Sequence, residues 1–272
     1  MPDSQSRSPI TGQWTIVGSV ILERLPLKFS TPSSNTYDFP IPLSQISGPT
    51  RSQLELGMLP GQSVFVQCDV GREAGMLRLE GHLQNGSGGG TFTFIPNPNF
   101  AGGMRSLGFA ELSDQKVFMM ALYDVDPMYV RELYALGVRP RYSDQLVSMG
   151  IQHVTVEYVR QFYDLGYSNL SPDTLISMRV QGVWPDFARE LRDLGYGSVS
   201  PNELVSMRVQ GVSTQFIKGV EALGYDHPAI SQLISMRVQG VTPEYILRAR
   251  SVGLGNLSID QIINLRIHGI VE

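Results

Sequence analysis

The residues best placed to do chemistry in this chain are arginines that recur at a fixed step. Arg179, Arg208, Arg237 and Arg266 stand 29 residues apart. The first three lie in LISMRVQGV, LVSMRVQGV and LISMRVQGV, which begin at residues 175, 204 and 233. Tyr167, Tyr196 and Tyr225 keep the same step. A guanidinium offers a planar fork of donors that matches a carboxylate or phosphate, so a row of arginines suits an anionic ligand. The same row also suits a scaffold. On a helical wheel begun at Leu175, the residues Leu175, Ile176, Met178 and Val180 cover one broad face, and Arg179 falls near its centre. An arginine there must be paired. Backbone carbonyls at neighbouring helix ends recur whatever the side chains, and are the expected partners. The three tyrosines are the second candidate, through hydroxyl contact or stacking.

The other reactive residues point away from catalysis. His82, His153, His227 and His268 lack metal-ligand spacing, and no HExxH is present. His153 stands where other repeats have glycine, and His268 where they have glutamine. No Ser/His/Asp set is identifiable. Cys68 is the single cysteine, which excludes an internal disulfide and a cysteine-based zinc site. It reads as a small apolar residue in a strand. The glycine-rich NGSGGG at 85–90 lacks the Lys and Ser/Thr of a phosphate loop and precedes a strand, so a hairpin turn is expected. The chain is therefore expected to be no enzyme, with no cofactor and no metal.

The repeat defines the elements that carry these residues. Met178, Met207 and Met236 share the 29-residue step, as do Gly137, Gly166, Gly195, Gly224 and Gly253. Five units run without insertion from Val125 to Gly269. LGFAELSDQKVFMMALYDV at 107–125 aligns with LGYSNLSPDTLISMRVQGV two periods on, which adds an earlier, worn unit. Six units result, starting at 96, 125, 154, 183, 212 and 241. Each predicts two short helices. Thr242 caps the first helix of its unit, Pro243 occupies its first position, and Tyr245, Ala249 and Val252 share a face. Gly253 supplies a left-handed stop. Ser200 with Glu203 and Ser258 with Gln261 predict capping boxes on second helices. Units this small must stack to bury their apolar faces, which predicts an α-solenoid over 96–272.

Residues 1–95 differ in texture. WTIVGSVILERL, SVFVQCDV, MLRLEGHL and TFTFI are rich in β-branched and aromatic residues, while Pro26 to Pro60 reads as loop with short extended pieces. The expected fold class is thus α+β: a small antiparallel β domain, then an α-solenoid of about six 29-residue two-helix repeats. A hydrophobic content of 42% against 17% charged residues fits an ordinary globular protein. No apolar run is long enough to span a membrane, and MPDSQSRSPI lacks the apolar core of a signal peptide.

ALYDV followed by repeated LGY-x-x-LS-x-x-x-L-[IV]-S-MRVQGV resembles a bacterial repeat region. Such regions occur in secreted or membrane-attached proteins and at the carboxyl end of some β-lactam-sensor-type membrane metallopeptidases. The peptidase part is absent, so no catalytic residue carries over. The resemblance implies a sensing, binding or assembly module, and an extracytoplasmic location. The leading functional expectation is a non-enzymatic scaffold that binds protein or other copies of itself, head to tail, through an apolar face at Ile259, Ile262, Ile263 and Ile267. A ligand-sensing module acting through the β domain is the alternative. Helix-hairpin-helix-like nucleic-acid binding is weaker. Acidic residues outnumber basic ones over the repeats and the net charge is −4, so no nucleic-acid partner is expected.

Overall fold

The computed structural model describes residues 8–16, 24–33, 35–49, 51–197 and 199–271. Six strands form one antiparallel sheet: β1 (Ile10–Ile16), β2 (Arg24–Ser30), β3 (Thr36–Pro42), β4 (Ser63–Arg72), β5 (Gly75–Gln84) and β6 (Ser87–Pro96). Their order is β3-β2-β1-β6-β5-β4. Alternation places one apolar set on the buried face: Trp14, Leu27, Phe29, Ile41, Val66, Val70, Leu77, Leu79, Phe92 and Phe94. Helix α1 (Arg51–Met58) packs on β4 and β5. The fold class is α+β, with the sheet followed by the helices α2 to α13.

The segment from Pro26 to Pro60, expected to be loop-rich with short extended pieces, holds most of β2, all of β3 and the helix α1. The prolines misled. Pro40 and Pro42 lie on β3, an edge strand, where a missing N–H breaks no inner ladder. Among the described residues, Pro26 pairs with Pro40 of that same edge strand. The NGSGGG hairpin is tighter than its composition suggests. Asn85 and Gly86 alone form the turn, with φ of 52° and 75°, the left-handed pair that matches strand twist. Gly88, Gly89 and Gly90 belong to β6. A Cβ on Gly90 would stand 2.0 Å from the Glu80 carbonyl oxygen, and one on Gly81 would stand 2.2 Å from that of Gly89. Over this bare backbone the buried Trp14 donates its indole N–H to the Glu80 carbonyl at 3.2 Å.

After the sheet, first and second helices alternate. The first helices are α2 (Phe100–Ser106), α4 (Pro127–Ala135), α6 (Val156–Asp164), α8 (Pro185–Asp193), α10 (Thr214–Glu221) and α12 (Pro243–Ser251). The second helices are α3 (Asp114–Leu122), α5 (Ser143–Ile151), α7 (Pro172–Val180), α9 (Pro201–Val209), α11 (Ile230–Val238) and α13 (Ile259–Ile267). Each second helix starts 29 residues after the one before. The caps follow the chemistry read from the sequence. Thr242 accepts from the Tyr245 N–H, and Ser200–Glu203 and Ser258–Gln261 close both bonds of a capping box. Gly253 has φ of 90°. Val252, expected beside Tyr245 and Ala249 on the buried face, is exposed. The helix ends at Ser251, and Ile246 is the third buried side chain of α12 beside Tyr245 and Ala249.

The chain divides into two compact units, one of residues 1–135 with 139–153 and one of 136–138 with 154–272. In the first, Phe118 of α3 stacks on Phe92 of β6, with ring centroids 5.5 Å apart and planes 3° from parallel. Lys116 of α3 pairs with Asp144 of α5 at 3.0 Å. In the second, α6, α8, α10 and α12 pack in succession, and so do α7, α9, α11 and α13.

Gly90→Ala is expected to destabilise the first unit by about 1–3 kcal/mol, because the added methyl must displace a backbone carbonyl. Urea unfolding followed by tryptophan fluorescence checks this, since Trp14 reports on the same site.

Candidate functional site

The arginines do not lie buried at the centre of an apolar face. Arg208 and Arg266 are exposed, and Arg179 and Arg237 are half-buried. Only Leu175 and Met178 of the predicted face are fully buried in α7; Ile176 is half-buried and Val180 exposed. The helix is nine residues long, and the arginine falls in its last turn, beside the exposed Val180. Each arginine has an aromatic ring of the first helix of its own unit as a partner, and Arg179 has Trp184 of the next unit as well. Arg208 lies 5.2 Å from the Phe187 ring centroid, Arg237 5.2 Å from Phe216 and Arg266 5.1 Å from Tyr245. Arg179 lies 5.0 Å from Tyr158 and 4.1 Å from Trp184. These are cation–π distances.

Arg208, Arg237 and Arg266 also approach the glycine turn of the preceding unit. A Cβ built on Gly211 would approach Nη2 of Arg237 to 3.0 Å, and one on Gly240 would reach Arg266 at 3.7 Å. Gly211 and Gly240 have φ of 72° and 71°. The glycine of MRVQGV thus serves twice: it allows the left-handed turn, and it leaves room for the next arginine.

The tyrosine ladder is the tighter link. Tyr167 donates its hydroxyl to the Val199 carbonyl at 2.8 Å, Tyr196 to Pro228 at 2.9 Å and Tyr225 to Leu257 at 2.9 Å. Each accepting carbonyl lies 32 residues downstream. Each belongs to the residue just before the cap of the next second helix. The tyrosines therefore bond to backbone, not to the arginines of the ladder. Burial raises the Tyr196 hydroxyl to a pKa of about 12, with the Glu221 carboxylate adding to the shift. Burial also raises Tyr167, against the lowering effect of Arg192.

The histidines serve as turns and stacking partners. His153 and His227 adopt left-handed backbone, with φ of 52° and 48°. His227 stacks on Tyr196 with centroids 4.1 Å apart, and His82 meets Phe65 edge-on. Among the described residues no three His, Cys, Asp or Glu side chains converge on a common point. Cys68 is buried in β4, and desolvation followed by the Asp69 charge pushes its thiol up to about 11. A cavity of about 10 Å³ sits under the sheet, lined by apolar residues including Trp14, Leu27, Leu54 and Cys68. That is room for one water.

The expected assembly face is largely internal. Ile259, Ile262 and Ile263 are buried, Val271 is buried as well, and only Ile267 is exposed. α13 packs on α11, and those three isoleucines lie out of solvent. The exposed apolar residues lie elsewhere and keep the period. Val180, Val209, Val238 and Ile267 are 55%, 54%, 55% and 53% exposed.

The ring partners were missed from the sequence. Tyr158, Phe187, Phe216 and Tyr245 each stand 21 residues before an arginine of the ladder. That constant offset was the available signal. No family model matches the chain, and no curated protein matches it.

Tyr196→Phe is expected to cost about 1–2 kcal/mol, because it leaves the buried Pro228 carbonyl unpaired. Arg208→Ala is expected to cost less, about 0.5–1 kcal/mol, because an exposed cation–π contact is weak. Thermal or denaturant melts of the two variants give the ranking. Alkali supplies a further test. The folded pKa of Tyr196 lies above the ordinary value near 10, so its contribution is complete below pH about 10 and is lost as pH rises through about 12. The unfolding midpoint should fall over that window, and Tyr196→Phe should flatten the fall.

Proposed function

We propose that the chain is a non-enzymatic repeat scaffold, in which two-helix units stack as an α-solenoid after a β domain and bind a protein partner. One observation carries this: the periodic polar side chains are engaged in structure, through tyrosine–carbonyl bonds between units and ring–arginine contacts within them, while a periodic aliphatic row stays exposed. Exposed apolar side chains at one repeated position form the kind of surface that proteins use for partners. The partner class includes further copies of the same chain. No helix among the described residues is long and apolar enough to cross a membrane.

Site-specific photocrosslinking tests the scaffold function. A photoreactive residue replaces the exposed Val209 in one variant and the exposed Leu247 in another. In the cell that makes the protein, irradiation should join at least one variant to a polypeptide. Absence of an adduct from both positions would remove the scaffold function, and an adduct with the same chain would select self-assembly.

A further inference from the structure

We propose that the carboxyl ends of the second helices in residues 154–272 dock an extended acidic segment of a partner protein, which presents an acidic or aliphatic side chain at every third residue. This deepens the scaffold function above and rests on it.

The exposed row is uniform where structure does not demand uniformity. Val180, Val209 and Val238 are all valine, and the fourth position is Ile267. Their exposed neighbours Gln181, Gln210 and Gln239 are also identical. Other solvent positions on the same helices are mixed: Ser177, Ser206 and Ser235 are uniform, whereas Asp173, Asn202, Ser231 and Asp260 differ. A β-branched residue is a poor choice for an exposed helix position on propensity alone. A repeated exposed residue that is both apolar and β-branched therefore points to contact with something outside the helices.

The charge of the row selects an anionic occupant. Each of the stretches 175–183, 204–212, 233–241 and 262–270 contains one arginine and no carboxylate. Among the described residues, Arg208, Arg237 and Arg266 have no carboxylate oxygen within 4.0 Å. The ring contact covers one face of each guanidinium and uses none of its N–H donors, and Arg237 Nε is buried with no hydrogen-bond partner. Stacking also fixes the plane of the fork, which favours a bidentate carboxylate. A nucleic acid is disfavoured, because residues 154–272 hold 10 Lys/Arg against 12 Asp/Glu and phosphate gains nothing from the valines.

The spacing selects the conformation. α7, α9, α11 and α13 pack one on the next, and packed helices lie about 8–10 Å apart. Three residues of polyproline II helix advance about 9 Å and return a side chain to the same face. One turn of such a segment thus matches one unit. The exposed glutamines suit this occupant, since their carboxamides pair with a backbone whose N–H and C=O groups are free.

The test uses the full chain and a labelled peptide of roughly twelve residues built from repeated Glu-Val-Pro, which favours polyproline II. Controls have the same composition with the acids clustered at one end, or Lys in place of Glu. Fluorescence anisotropy should show saturable binding, at least about ten-fold tighter than to either control. The exposed-site variant Val209→Ser/Val238→Ser should lose about ten-fold in affinity with an unchanged melting temperature. Equal binding of the lysine peptide, or an unaffected variant, would overturn the proposal. So would a lack of saturation at millimolar peptide, or a dimer that occupies the row and dissociates in the double variant. Crosslinks from Leu247 without peptide binding would sink this docking site and leave the scaffold function standing.

Discussion

A tyrosine hydroxyl bonded to a carbonyl in the following unit sets the spacing of the helices in residues 154–272. The helices are only eight or nine residues long, too short to persist alone in water. Each must be held by its neighbours. Tyr167, Tyr196 and Tyr225 do this at a point where error would propagate, the residue just before a second-helix cap. The carbonyl there needs a donor that does not come from its own helix. Once the hydroxyl supplies it, the cap, the helix start and the buried leucine and methionine of the next unit fall into register.

The arginines act at the other end of the second helices. Arg208, Arg237 and Arg266 each span from a ring of their own unit to the glycine turn of the unit before, with Arg237 and Arg266 as the closest cases. A cation at a helix carboxyl end is favoured by the helix dipole, so the contact stabilises even where the side chain is exposed. The ring contact itself uses none of the guanidinium N–H donors. A structural contact of this kind also orders a binding group in advance, which lowers the entropy lost when an anion arrives.

Much of this was legible in the sequence. The 29-residue step gave the second-helix starts, because caps, glycines and buried methionines all repeat with it. The capping boxes at Ser200 and Ser258 were readable from local chemistry alone. Three features were not. The arginine position was misjudged because a helical wheel treats a short helix as if every turn were covered, whereas the last turn of α7, α9 or α11 reaches solvent. The ring partners were hidden because Tyr158, Phe187, Phe216 and Tyr245 vary in type while keeping their place. The strands β2 and β3 were obscured by prolines that an edge position tolerates. The isoleucines of α13 looked available because a wheel does not show that α13 packs on α11.

Hydrogen exchange of the Tyr196→Phe variant tests the interlock most directly. Amide protection should fall in α8, α9 and α11, which flank the lost bond to Pro228, while the sheet of the first unit keeps its protection. Unchanged protection in all three helices would contradict the account, since the hydroxyl would then be incidental to the spacing of the units.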